Sequence, residues 1–209
     1  MNRREKITSE TLIDEELLIR QCLSGHALAQ KQLYERFAPK MFGVCLRYAV
    51  DHSMAEDFLQ EGFIRVFLKL DSYGAKGSLE GWMRRIMVNT ALEKLRKKDI
   101  LRNSLDIEAA GQQHMVLNSE SAEYVVTENI IERDTEEIYP AEMLYQAIKE
   151  MPMGFRTVFN LFAIEEYSHK EIGAMLGISE GTSKSQYARA RTWLQKRLTE
   201  RKKSSNARK

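Results

Sequence analysis

The chain has 209 residues, with 43% hydrophobic and 30% charged side chains. That length allows one large domain or two small ones, each with a real core. No run of about 18 apolar residues occurs, so a membrane span is not expected, and the net charge of +2 is unevenly spread. Residues 14–98 hold 14 basic and 11 acidic side chains, a net of +3, and residues 99–140 hold 2 basic and 10 acidic, a net of −8. Residues 141–209 hold 13 basic and 7 acidic, a net of +6. Two basic bodies joined by an acidic strap suit a polyanion partner at both ends, or two ordinary helical domains with a solvated linker.

The N-terminal MNRREKITSETLIDEE has no apolar segment and does not read as a signal peptide. Cys22 and Cys45 stand alone, without the spacing of a zinc site or a disulfide framework, which points to a cytoplasmic protein with no metal or cofactor. From Asp14 onward every periodic segment is helical. Asp14 is placed to cap a helix ended by Gly25. Residues 26–37 follow, with Leu28, Leu33 and Phe37 offered to a core, and Pro39 suits the first turn of a separate helix over 40–50. Ser53 is expected to cap the next helix, 54–70, whose apolar face is Ala55, Phe58, Leu59, Phe63, Val66, Phe67 and Leu70. A polar loop, 71–78, precedes a helix over 79–98 that ends in KLRKK.

Residues 99–139 read as a flexible acidic linker. The second body begins near Pro140, with helices over 141–151 and about 155–163. Then comes SHKEIGAMLGISEGTSKSQYARAR, residues 168–191, the layout of a helix-turn-helix. Ser168 and Glu171 have capping-box spacing, Gly177 fits the turn, Gly173 permits close approach, and Ser179 starts a helix over about 180–198. Ser183, Tyr187, Ala190 and Leu194 share its inner face. Lys184, Ser185, Ala188, Arg189, Arg191 and Lys196 lie elsewhere, a basic surface with small residues suited to a DNA major groove. The tail 199–209 is basic and is expected to be disordered. The fold class is therefore all-α, two small helical domains with a helix-turn-helix in the second.

Three surfaces of the first body carry chemistry. Asp57, Gln60, Glu61 and Arg65 form a polar stripe opposite the apolar face of their helix, either a solvated face or an acidic docking patch. Tyr73, Lys76, Ser78 and Trp82 mix aromatic rings with a cation and small polar groups, which suits single-stranded nucleic acid. Trp82 is equally a candidate core anchor. Arg84, Arg85, Asn89, Lys94, Arg96, Lys97 and Lys98 face a single acid, Glu93, and Asn89 is either a reader of a base edge or a surface residue. No phosphate loop, metal-ligand spacing or nucleophile motif is present, so an enzyme is not expected. A stand-alone regulator would explain the C-terminal body but leaves the first body without a task.

DFLQEGFIRVFLKLDSY, GSLEGWMRRIMVNTALEKLRKK and MPMGFRTVFNLFAIEEYSHKEIGAMLGISEGTSKSQYARAR, in that order, resemble the successive signatures of a bacterial sigma factor of the extracytoplasmic-function class. The resemblance covers roughly residues 17–98 and 141–198. It implies that Asp57, Gln60 and Glu61 dock on the clamp helices of the largest RNA polymerase subunit. The 73–78 loop would receive a flipped base of the minus-ten element, while Trp82, Arg84, Arg85 and Asn89 would help open that element. Lys184, Ser185, Ala188 and Arg189 would lie in the major groove of the minus-thirty-five element, with Arg191 and Lys196 on phosphates. The implied partners are core RNA polymerase, promoter DNA and an anti-sigma factor. Two positions depart from the family: Ser183 stands where a buried valine is common, and Ala188 where a larger contact is common.

Overall fold

A computed structural model describes residues 14–97, 101 and 140–206. Every regular element among them is helical, and they divide into two compact units that part after Lys94. The acidic linker proposed for 99–139 lies, except for Leu101, outside the described residues, as do Lys98 and the last three residues. No helix among the described residues is long and apolar enough to cross a membrane.

In the first unit, α1 spans residues 14–23 and ends at a turn in which Gly25 has φ +79°, a left-handed conformation that glycine adopts without penalty. Helices α2 (Ala27–Tyr48), α3 (His52–Lys69) and α4 (Leu79–Lys97) follow, with one turn of 3-10 helix, Leu70–Ser72, after α3. Contrary to the break expected at Pro39, α2 runs straight through it. Proline removes one backbone hydrogen bond and costs about 3 kcal/mol in a helix interior. Phe37, Ala38, Met41, Val44 and Cys45 are all buried across that point, and their shared face offsets the loss. Leu28, by contrast, is 77% exposed and does not join the core.

The cap of α3 is also shifted. Asp51, not Ser53, is the N-cap, its carboxylate accepting from the Met54 amide at 2.8 Å, and its charge suits the positive end of the helix. Helices α2 and α3 pack together, with Tyr34 and Phe63 4.6 Å apart between ring centroids. Leu79, Met83 and Met87 of α4 are fully buried, and the Met87 thioether lies where a Cβ on Gly62 of α3 would be. Gly62 thus lets α4 side chains lie directly on the α3 backbone.

The second unit contains α5 (Ala141–Glu150), α6 (Met153–Phe159), α7 (His169–Leu176) and α8 (Glu180–Asn206). Ala147 and Met151 meet Ala190, Leu194 and Leu198 of α8 in one cluster, flanked by Phe155, Phe159 and Trp193. Helix α6 opens into a π-helical stretch, Asn160–Ile164, whose wider turn is closed by the Glu165 amide on the Asn160 carbonyl at 3.0 Å. Helix α8 continues through Asn206, so residues 199–206 are helical where disorder was expected. Arg197 and Arg201 in this part of the helix both reach Glu150 of α5, at 2.7 and 2.5 Å, and tie it to the rest of the unit.

Candidate polymerase and nucleic-acid interfaces

Helix α3 presents Asp57 and Gln60 to solvent, while Glu61 is half-buried. The Glu61 carboxylate accepts from Arg65 Nε at 3.1 Å, and Arg65 Nη1 donates to Glu93 of α4 at 2.6 Å. Those bonds, Glu93 foremost, hold the Arg65 guanidinium above its ordinary pKa. The stripe is therefore not uniformly polar. Ile64 (55% exposed) and Leu68 (75% exposed) continue it at helical spacing from Asp57 and Glu61, so its C-terminal half is apolar and exposed. Both residues were legible as outward-facing positions of the same helical stripe, but sequence reasoning passed over them.

Between α3 and α4 the backbone turns through Ala75 (φ +54°) and Gly77 (φ +100°). The Tyr73 hydroxyl donates to the Gly77 carbonyl at 2.8 Å, closing the loop on itself. Ser78 accepts from the Gly81 amide at 3.1 Å, so its hydroxyl holds the start of α4 in place. Tyr73 and Trp82 pack at 5.5 Å between centroids with a 52° tilt, each ring half-buried. Trp82 thus packs in part against Tyr73 and leaves the rest of its ring accessible. Arg85 and Asn89 are exposed and share a helix face with Trp82 at i+3 and i+7. Arg84 turns elsewhere, 3.8 Å from Glu80, which itself holds Lys40 at 2.6 Å. Lys76 is exposed at the loop tip.

In the second unit the local chemistry of 168–191 is formed in full. Ser168 and Glu171 make the reciprocal capping box. Gly177 closes α7 at φ +72°, and a Cβ on Gly173 would lie 2.8 Å from the Ile178 carbonyl oxygen. Ser179 accepts from the Thr182 amide at 2.9 Å and starts α8. Ser183 is fully buried and bonded to His169 Nδ1 at 3.0 Å, so the unusual serine ties α8 to α7 through its hydroxyl. The His169 ring stacks on Phe162 at 4.2 Å and 9°, and Phe162 in turn leans on Tyr187 at 4.5 Å. On the outer surface Lys184 is exposed and paired with Glu180 at 2.7 Å. Ser185, Ala188 and Arg189 are half-exposed, and Arg191 and Lys196 are exposed. Gln186, which sequence reasoning did not single out, is fully buried on the inner face.

Residues 33–100 match the family model of sigma-70 region 2, and residues 141–194 match that of sigma-70 region 4. Over 183 residues the chain is 31% identical to the ECF RNA polymerase sigma factor SigW of Bacillus subtilis, spanning 86% of this chain and 94% of that protein. The chain belongs to the ECF sigma factors. This sigma factor is also 28% identical over 183 residues to the ECF RNA polymerase sigma-E factor of Escherichia coli, covering 88% of this chain and 93% of that one. Among solved structures it is similar to the sigma factor RpoE in complex with the anti-sigma factor NepR from Bartonella quintana. That match has a TM-score of 0.46 and 22% identity over 81% of this chain and 96% of the other.

The histidine in this sigma factor's helix-turn-helix was missed because His169 follows a polar cap and looks solvated in sequence. Its ring is held below the ordinary pKa of 6.5, chiefly by burial and next by the Lys184 charge, with Glu180 opposing. A base with a depressed folded pKa favours its neutral form in the native state, so the unfolded chain binds more protons below 6.5. Stability from this group is complete above pH 6.5 and is lost as pH falls through the lower folded value. Thermal unfolding of the second unit between pH 7.5 and 5 is expected to show this loss. His169→Gln is expected to flatten the slope over that range, and an unchanged slope assigns it to other groups.

Proposed function

We propose that this ECF sigma factor directs core RNA polymerase to its promoters with two separate tools, using no catalytic chemistry of its own. In the first unit, Asp57, Gln60 and Glu61 form the polymerase-docking stripe. Trp82, Arg85 and Asn89, with Tyr73 and Lys76 beside them, take the minus-ten strand as it separates, with bases stacking on the ring and phosphates meeting the cations. Arg84 and Ser78 support that surface through Glu80 and the α4 start. In the second unit, Lys184, Ser185, Ala188 and Arg189 face the minus-thirty-five bases, and Arg191 and Lys196 hold phosphates. Its place of action is the cytoplasm, and its inhibitor an anti-sigma protein, as family membership implies.

The observation that carries this reading is the shared outward face of Trp82, Arg85 and Asn89, next to the closed Tyr73 loop. Stacking of a base on an aromatic ring contributes about 1–3 kcal/mol. Reconstituted holoenzyme on a pool of genomic fragments is expected to yield transcripts with a shared upstream motif. Trp82→Ala is expected to lower open-complex formation about tenfold or more, while binding of core polymerase is retained. Equal opening by wild type and variant would remove Trp82 from the strand-capture role.

A further inference from the structure

Helix α8 is longer than a recognition helix requires. From Gly181 to Lys203 it extends about 33 Å at the usual rise, and it carries eight basic residues against Glu180 and Glu200. Those cations fall into two kinds. Arg197 and Arg201 turn toward α5, where both are held by Glu150. The other six lie on the outward half of the helix in two rows. Arg189, Lys196 and Lys203 follow one another at intervals of seven, and Lys184, Arg191 and Lys202 at seven and eleven. Both intervals return to nearly the same helix angle, within about 20° per step. Between the rows runs a neutral strip that includes Ala188, Thr192 and Thr199, and the two threonine hydroxyls bond back to the backbone carbonyls of Ala188 and Gln195.

Two cationic edges flanking a neutral centre match a DNA groove, where two phosphate strands flank the base edges. A helix of about 10–12 Å diameter fills a major groove of about 12 Å. A straight helix follows the curving groove for only part of 33 Å, so its far end must leave the base edges. We propose that residues 199–203 of α8 form a second, sequence-independent DNA contact, with Lys202 and Lys203 holding backbone phosphates flanking the minus-thirty-five element. This rests on the reading that the outward face of α8 meets DNA. It adds a segment beyond the family-model match, which ends at residue 194. Such contacts add affinity and salt dependence and leave sequence preference unchanged.

The test uses the full-length protein and a fluorescein-labelled 40-base-pair duplex of mixed sequence, with binding measured by anisotropy between 50 and 200 mM NaCl. The double variant K202Q/K203Q is expected to reduce the slope of log affinity against log salt by about 1.8, from about 0.9 per phosphate contact. The double variant K31Q/K149Q, which removes the same charge elsewhere, is expected to keep the wild-type slope. R189A/R191A serves as the arm that tests the underlying reading. If R189A/R191A weakens binding but K202Q/K203Q does not, only the far-end contact falls. If neither pair weakens binding, or wild type fails to bind at 50 mM salt, both fall. Equal losses in K202Q/K203Q and K31Q/K149Q also overturn the proposal, since they reduce the effect to net charge.

Discussion

Replacing Asp57 by lysine is expected to weaken binding to core RNA polymerase at least tenfold, about 1.4 kcal/mol, with the fold intact. Asp57 is exposed in the second turn of α3, so the substitution should change stability by less than about 0.5 kcal/mol. Any large loss of affinity then belongs to the interface. Glu61→Lys is expected to add to the loss but is a less clean probe, because Glu61 is bound to Arg65. Arg65 has a second bond, to Glu93 at 2.6 Å, that does not involve Glu61 and is expected to keep α3 joined to α4 in that variant. The measurement is a titration of immobilised core enzyme with sigma factor at two salt concentrations. Charge reversal at a docking stripe should matter less at high salt, where exposed charges are screened. Core affinity within twofold of wild type for Asp57→Lys would show that the α3 stripe does not dock.

Gly173→Val is expected to produce the largest structural effect in the second unit. Its first added carbon would meet the Ile178 carbonyl oxygen at 2.8 Å, and that atom is backbone, which cannot swing away. The same turn is closed by the Ile178 amide on the Gly173 carbonyl at 3.0 Å, so separating α7 from α8 costs hydrogen bonding as well. A loss of about 2–4 kcal/mol is expected, or about 10 °C or more in the melting of a unit this small. Hydrogen exchange should accelerate throughout α7 and α8 and stay unchanged in α2 and α3. Unaltered exchange in α7 would show that the turn relaxes at little cost. Gly177 differs: no atom crowds its missing side chain, and its requirement is the left-handed backbone angle alone.

The contrast between the two units explains how much was legible beforehand. The helix-turn-helix is written in contacts three to five residues long: Ser168 with Glu171, Ser179 with Thr182, Gly173 with Ile178. Such chemistry is visible in any window that contains both partners. The errors fall where a distant part of the chain decides. Pro39 ends a helix by local rules, yet a continuous buried face carries α2 across it. Asp51 and Ser53 are both good caps by residue type, and Asp51 is the one with the extended backbone of a cap and the bond to the Met54 amide. The basic tail lacks apolar periodicity, but the helix leading into it is tied through Arg197 and Arg201 to Glu150, about 50 residues earlier. His169 meets Ser183 for the same reason, fourteen residues apart across the turn. Among the site residues, outward or inward placement was legible for most. What a side chain bonds to on another helix was not, as with Arg65 on Glu93.

The chain holds two tryptophans, and the fold assigns one to each unit: Trp82 beside Tyr73 on α4, and Trp193 at the edge of the α5–α8 cluster. Each unit therefore carries a built-in optical reporter. With Trp82 replaced by phenylalanine, emission follows the helix-turn-helix body alone. With Trp193 replaced, quenching of the remaining indole on adding single-stranded DNA tests directly whether a base arrives at the proposed strand-capture surface.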